Sequence, residues 1–474
     1  MLPIIKIPTV VETYSSTFKD VFTPEGNEHF KRYIAGLLMS NNKTVEGMNK
    51  LFVLDVKDQS SMNRFMNQSP WDKDELNRQR INWLQTCPQT AMKVSGEVRG
   101  VLVLDDTMFE HTGKHFENIS KLFDHASGQK ILAHNVVNLH YVDDVVDYPI
   151  GFQLWVPPNM ELVEEAILAT GLKFTEKKQS LKTTAPIDYR RHLLATFGKL
   201  FHKGKIEQVY ITKLELAKIE LKSFFDQHGN PDLPITFDSW FASPYFLKYI
   251  DQDLDKAYVS ALKPSEILLV RGDEKVTATD FAKELKKSHF QLIAEGKKGL
   301  FDKVGIGYKG KKEYYYSYCG THNVKKFGRQ RLVINFKEEN LSDEPKFIIS
   351  NRLTWHSAGI TRIYRHRWHI EVYHEEAKDE GLAKYQLRDF EAIKKHIALV
   401  ITAYSYLQRF RFDQELLQQL QWKPKLSEID NSLRFWRRVL NYEALITIIY
   451  WFMEKDHPPS EIQRMVELLK HAYM

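Results

Sequence analysis

Cysteine is nearly absent from this 474-residue chain: Cys87 and Cys319 stand in different regions, neither with a second cysteine nearby. That excludes a disulfide scaffold and a zinc knuckle of paired cysteines, and it points to a reducing compartment. Long apolar runs are missing too, since the longest near the C-terminus, 444–453, is about half of what spans a bilayer. No charged, apolar and small-residue leader opens the sequence, so a cytoplasmic protein with no membrane partner is expected. Internal repeats and low-complexity segments are absent as well. Nor is there a large excess of one charge: 67 Lys and Arg against 61 Asp and Glu leave +6, poor evidence by itself for a nucleic-acid partner.

What is present is ordinary globular material, 43% apolar and 27% charged, enough for two to four domains. The distribution of charge says more than its sum. Residues 297–331 hold ten Lys or Arg against Asp302 and Glu313, a local excess of +8 that leaves the remainder at −2. Lys311, Lys312, Lys325, Lys326, Arg329 and Arg331 are interleaved there with Tyr308, Tyr314, Tyr315, Tyr316, Tyr318 and Phe327. Such a mix suits contact with phosphates and sugars or stacking on bases; a solvated hairpin face with its tyrosines packed inward is the alternative.

Periodicity divides the chain. Residues 24–86 read as helices, with Ser69 and Pro70 as one helix start; they suit either an N-terminal DNA-binding domain or a helical cap on the next domain. Near Gly100 three β-branched runs follow, then a helix-rich stretch from about 159 and a buried strand at 234–237. Strands return between 262 and 351. More than a hundred residues separating the Asp238 strand from a later helix is too long for a loop, so an inserted β-rich subdomain is expected in a mixed α/β sandwich. The tail is helical, with a break at Trp422, Lys423 and Pro424.

Three acids carry the chemistry. Asp105 and Asp238 each follow a buried apolar run, where a carboxylate is costly unless it is paired or holds a metal. The alternative for each is a cap on the following turn. Asp106 competes with Asp105, because neighbouring strand residues face opposite ways. The third acid, Glu371, lies on a helix read across 360–381, where Tyr364, Arg367, Glu371 and Lys378 fall within an arc of roughly 60° at about 100° per residue. An acid for a divalent metal, an arginine fork for phosphate, and a lysine and phenol for the backbone are what a phosphodiester nuclease needs. Glu375, one turn on, is a further acid on that face; His111, His115, His134 and His140 read as satisfied polar residues near the first strands.

These residues resemble the three signature regions of bacterial DDE transposases of the insertion sequence four family. The resemblance rests on Asp-x-Thr at 105–107, Asp-Ser-Trp-Phe-Ala at 238–242 and Tyr-x-x-Arg-x-x-x-Glu-x-x-x-x-x-x-Lys at 364–378, in order over about 95–410. Phe241 departs from it, standing where many relatives carry tyrosine.

The resemblance implies an α/β, ribonuclease H-like core interrupted by a β-rich insertion, with helical N-terminal and C-terminal regions. The expected plan is a DNA-binding region at 1–95, the core at 96–250 and 351–410, the insertion at 251–350, and a tail at 411–474 that dimerises. It also implies cut-and-paste transposition by a homodimer on double-stranded DNA, at terminal inverted repeats and target, through a hairpin intermediate, in a bacterial cytoplasm at the nucleoid. Asp105, Asp238 and Glu371 would hold two Mg²⁺ ions, with Mn²⁺ able to substitute. Tyr364, Arg367 and Lys378 would contact end DNA, and Trp240, Trp355 or Trp368 would receive a flipped base. A catalytically inactive DNA-binding derivative, a stand-alone structure-specific nuclease and a two-carboxylate glycosidase are the rivals.

Overall fold

Local signals account for most of the element starts. In the computed structural model, which describes residues 2–54, 57–96, 99–124, 127–201, 203–270, 274–308, 311–420, 432–454 and 457–473, helices open behind capping side chains. Thr23, Thr44, Asp58 and Asp72 cap α2 (Pro24–Met39), α3 (Val45–Asn49), α4 (Gln59–Asn67) and α5 (Lys73–Gln85), which follow α1 (Thr9–Ser15). The start expected at Ser69 and Pro70 falls instead at Lys73, because the Asp72 carboxylate supplies the cap.

The strands β1 (Val101–Glu110), β2 (Ser120–Asp124) and β4 (Asp147–Trp155) all pair antiparallel with the long β3 (Gln129–Val142). Helices α6 (Met160–Ala169), α7 (Glu176–Thr184) and α8 (Pro186–Phe201) then leave the sheet, and α9 (Lys213–Gln227) returns behind a capping box of Thr212 and Glu215. The chain continues through β5 (Ile235–Phe237), α10 (Pro244–Lys248), β6 (Tyr258–Ala261), β7 (Ile267–Val270), β8 (Glu274–Thr277) and α11 (Ala278–Ala294). Next come β9 (Asp302–Tyr308), β10 (Lys311–Val324), β11 (Gly328–Phe336) and β12 (Lys346–Ser350). Helices α12 (Ser357–His366), α13 (Trp368–Asp379), α14 (Phe390–Phe410), α15 (Gln414–Gln419), α16 (Leu433–Met453) and α17 (Pro459–Tyr473) complete it.

One mixed sheet runs through the molecule in the order β2-β3-β1-β5-β6-β12-β11-β10-β7-β8, with β4 also on β3 and β9 on β10. β5 is parallel to β1, and β6 is parallel to β5. The span 251–350, expected as an inserted β-rich subdomain, is joined to its surroundings by backbone pairing: β6 lies beside β5, and β12 pairs with β6 on one edge and β11 on the other. It also contains α11, a 17-residue helix where only strands were expected.

The nearly all-buried α14 packs against α2, α5, α16 and β4, so the N-terminal helices share one core with the sheet. Three of their basic residues are spent inside, Arg32 of α2 among them. Buried Arg80 donates to the Ser405 hydroxyl at 2.7 Å and the Pro149 carbonyl at 2.7 Å, and Lys43 lies 3.9 Å from buried Glu380. Among the described residues no helix is long and apolar enough to cross a membrane. The break expected at Trp422, Lys423 and Pro424 lies outside the described residues.

Candidate active site

β1 is buried on both faces from Val101 to Leu104, and its next residue is Asp105. In the parallel pairing with β5, Leu104 stands opposite Phe237, so Asp105 and Asp238 come one step later at the same level of neighbouring strands. Parallel neighbours lie about 4.8 Å apart, which brings the two carboxylates together. Asp105 keeps 19% of its side chain exposed, and burial pushes its carboxyl up to about 7, opposed by Arg367 and reinforced by Asp106 and Asp238. Burial also raises Asp238, although its Oδ1 accepts from the backbone N–H of Trp240 at 2.9 Å and of Phe241 at 3.3 Å. Asp238 thus also caps its turn, the plainer role anticipated for it.

Asp106 faces the other way. Its Oδ2 accepts from Lys213 Nζ at 2.7 Å and from Asn135 Nδ2 at 2.7 Å. Lys213 sits between two indoles, 5.2 Å from the Trp155 ring and 5.3 Å from that of Trp240. Nothing in the sequence marks Lys213 or Asn135: one opens an ordinary amphipathic helix, and the other sits in an apolar strand.

The helix expected across 360–381 is two helices meeting at Arg367. There is no proline or glycine at the join; instead the ladder tightens to three-residue bonds, Arg367 N–H to Tyr364 and Ile370 N–H to Arg367. At the join the Arg367 guanidinium is bonded to Glu371, four residues on, and lies 3.6 Å from Asp105 and 5.9 Å from the Tyr364 ring. Burial pulls Arg367 down, but Tyr364, Glu371 and Asp105 outweigh it and hold the guanidinium above its ordinary range. Trp240 and Trp368 are about half exposed, at 50% and 53%. Trp355 is half-buried, and its carbonyl accepts from Arg331 at 2.9 Å, so Arg331 is engaged within the fold.

Of the remaining residues singled out, Lys378 is half-buried near His374, while Glu375 lines a separate acidic pocket with Glu376, Asp379, Arg434 and Arg437. Lys325, Lys326 and Arg329 are exposed at the β10–β11 turn, Lys326 pairing with Glu266 at 3.4 Å, whereas Lys312 is exposed at the far end of β10, where that strand pairs with β9. Lys311 lies in β10, and its side chain is outside the described residues. His134 shares hydrogen bonds with Tyr385 and the Glu117 carbonyl, which leaves it structural.

Behind α13 lies a buried polar network with no sequence signal. Asp147 of β4 meets His140 at 3.1 Å, His369 at 3.4 Å and the Tyr404 hydroxyl at 2.9 Å. Burial would push the Asp147 carboxyl up, and the two imidazoles outweigh it, holding it well below the usual carboxylate range. Two residues after His369 comes Glu371, so the network fixes the helix that carries the third acid.

As a metal site, the donors fit in kind: all are carboxylate oxygens, the choice of a hard divalent ion. In position Asp105 and Asp238 fit, whereas Arg367 occupies Glu371, and no group of three acids among the described residues is placed to hold one ion.

No curated protein matches the chain. Among solved structures, a piggyBac transposase synaptic complex with hairpin DNA is similar over 97% of this chain and 81% of that chain, at 10% identity and a TM-score of 0.43. The family model described as DDE superfamily endonuclease matches residues 17–279, a span that contains Asp105 and Asp238 and ends before Glu371. More than half of the sequence lies within that match, and the chain belongs to the DDE superfamily endonucleases.

Proposed function

We propose that the chain is a cut-and-paste transposase of the insertion sequence four kind, cleaving DNA at the ends of a mobile element and joining those ends to a target. The observation that carries this reading is the level pairing of Asp105 and Asp238 on parallel strands, with Arg367 linking Asp105 to Glu371. The order β4-β3-β1-β5-β6, with β3 alone reversed, supports a ribonuclease H-like core.

In this reading Asp105, Asp238 and Glu371 hold Mg²⁺ or Mn²⁺, which when bound activates the attacking oxygen and stabilises the leaving one. The chain's own residues do the rest. Lys213 and Asn135 keep Asp106 turned away from the site. Arg367, released from Glu371, offers its fork to the phosphate, with Tyr364 and Lys378 alongside. The half-exposed rings of Trp240 and Trp368 suit a base displaced during hairpin formation better than Trp355, whose ring packs into the fold. Lys325 and Arg329 at the β10–β11 turn, and Lys312 at the β9–β10 end of the same strand, grip the duplex. Tyr442, Leu445, Ile449 and Met453 form an exposed apolar face on α16 that suits a second copy of the chain.

The test is purified protein with labelled DNA carrying the repeats that flank its own gene, with Mg²⁺ or chelator, on a denaturing gel. Metal-dependent hairpin ends are expected, lost in Glu371→Gln while binding persists. Binding without cleavage under every metal would favour the inactive derivative, and cleavage without joining the stand-alone nuclease.

A further inference from the structure

Helices α6–α8 leave the sheet after Trp155 and return at Lys213, and the chemistry above makes no use of them. They carry a core of their own, in which Val163, Ile167, Phe174, Tyr189, Leu193 and Phe197 are buried together. Their charge is segregated. Three glutamates, Glu161, Glu164 and Glu165, lie on α6, whereas residues 173–205 hold nine Lys and Arg against Glu176 and Asp188. That excess of +7 exceeds the +6 of the entire chain.

Eight of the nine basic side chains are exposed, and Lys178 is half-buried. Among the described residues only Lys182, with Glu164, and Arg191, with Asp188, have an acidic partner. Lys178 of α7 and Lys199 of α8 converge on His192, whose imidazole is lowered first by burial and then by those two ammonium groups. No large aromatic ring is exposed on α7 or α8 among the described residues, so the surface offers charge without a stacking platform.

The unit is rooted at the acids. Trp155, the last residue of β4, and Lys213, the first of α9, meet where Lys213 holds Asp106 and lies under Trp240. Phe197 and Phe201 of α8 share a cavity with Ser243 and Tyr245, a few residues beyond Asp238.

We propose that residues 156–212 form a second grip on duplex DNA, binding the phosphate backbone along α7 and α8 beside the phosphate to be cut. The inference rests on the transposase reading. Charge complementarity without exposed rings selects the duplex backbone over unstacked bases.

The test is an anisotropy titration of the full chain with labelled duplex at several salt concentrations. The variant carries Lys177→Gln, Lys178→Gln, Arg190→Gln and Lys199→Gln. The control loses four charges at Lys50, Arg78, Lys222 and Lys283, each already paired with an acid three or four residues away. The variant is expected to bind at least about tenfold more weakly, with a salt slope flatter by about 0.9 for each phosphate no longer neutralised, while the control follows wild type. Superimposable curves for variant and control overturn the inference alone. Failure of the wild type to bind duplex overturns it together with the transposase reading. A variant that loses binding to anionic lipid vesicles but keeps its DNA affinity overturns it in favour of a membrane surface.

Discussion

Lys213 donates a 2.7 Å hydrogen bond to Asp106, although 107 residues separate them in sequence. The bond gives one of two adjacent acids a partner cation and leaves the other beside Asp238. Asp106→Asn should therefore lower unfolding free energy by about 1–3 kcal/mol, because the lysine loses its ionised acceptor. Asp105→Asn should leave stability unchanged or raise it by about 1 kcal/mol, since it relieves crowding of like charges, and should abolish cleavage. Urea unfolding and a nicking assay on both variants check this; the reverse pattern would make Asp106 the first acid.

Arg367 supplies, in this structure, the positive charge between Asp105 and Glu371. Arg367→Gln should remove an internal competitor and raise the affinity of the DNA-free protein for Mn²⁺ by about tenfold, equivalent to about 1.4 kcal/mol, while slowing cleavage. Titration calorimetry reads the affinity without substrate. An unchanged affinity would mean that the arginine does not compete with the ion.

Asp147 is the shared acceptor of His140, His369 and Tyr404. Asp147→Ala leaves three buried donors unmatched and should cost about 3–5 kcal/mol in stability. Cleavage should fall even where the variant remains folded, because α13 loses its tie to β4. Thermal melts paired with activity at low temperature separate the two effects.

His396 is fully buried between the Tyr33 hydroxyl and the Gly381 carbonyl, at 2.8 Å each, and burial pulls its imidazole down to about 4. Its folded value is below the ordinary 6.5, so the unfolded chain binds the extra proton. The stability held by the neutral ring is complete above about pH 6.5 and is lost as pH falls from there towards 4. Between pH 7 and 5 the stability difference between wild type and His396→Gln should narrow by about 2 kcal/mol, measured by urea unfolding at each pH. A constant difference would place the titration elsewhere.

Much of this was legible because burial writes itself into strands and helices. The runs before Asp105 and Asp238 read as buried strands leading to an acid; Asp238 follows the end of β5, whereas β1 runs on past Asp105 to Glu110. The spacing of Tyr364, Arg367 and Glu371 was also visible, yet the join at Arg367 was not, because no breaker residue marks a local tightening of the ladder. Partners drawn from distant sequence left no trace: Lys213 opens α9 as an unremarkable helix residue, and Asp147 stands in a polar gap between apolar runs. The joining of β12 to β6 was hidden for a related reason, since a strand's pattern shows that it pairs without naming its neighbour.

The unbroken ladder from β1 through β5, β6, β12 and β11 to β10 makes the hairpin and the acids parts of one beam. Interstrand hydrogen bonds resist sliding, and a continuous run of paired strands links the β10–β11 turn to β5. Under the transposase reading, DNA held at that hairpin would load the same run of paired strands that positions Asp238 just past β5, which would couple capture of the substrate to alignment of the acids.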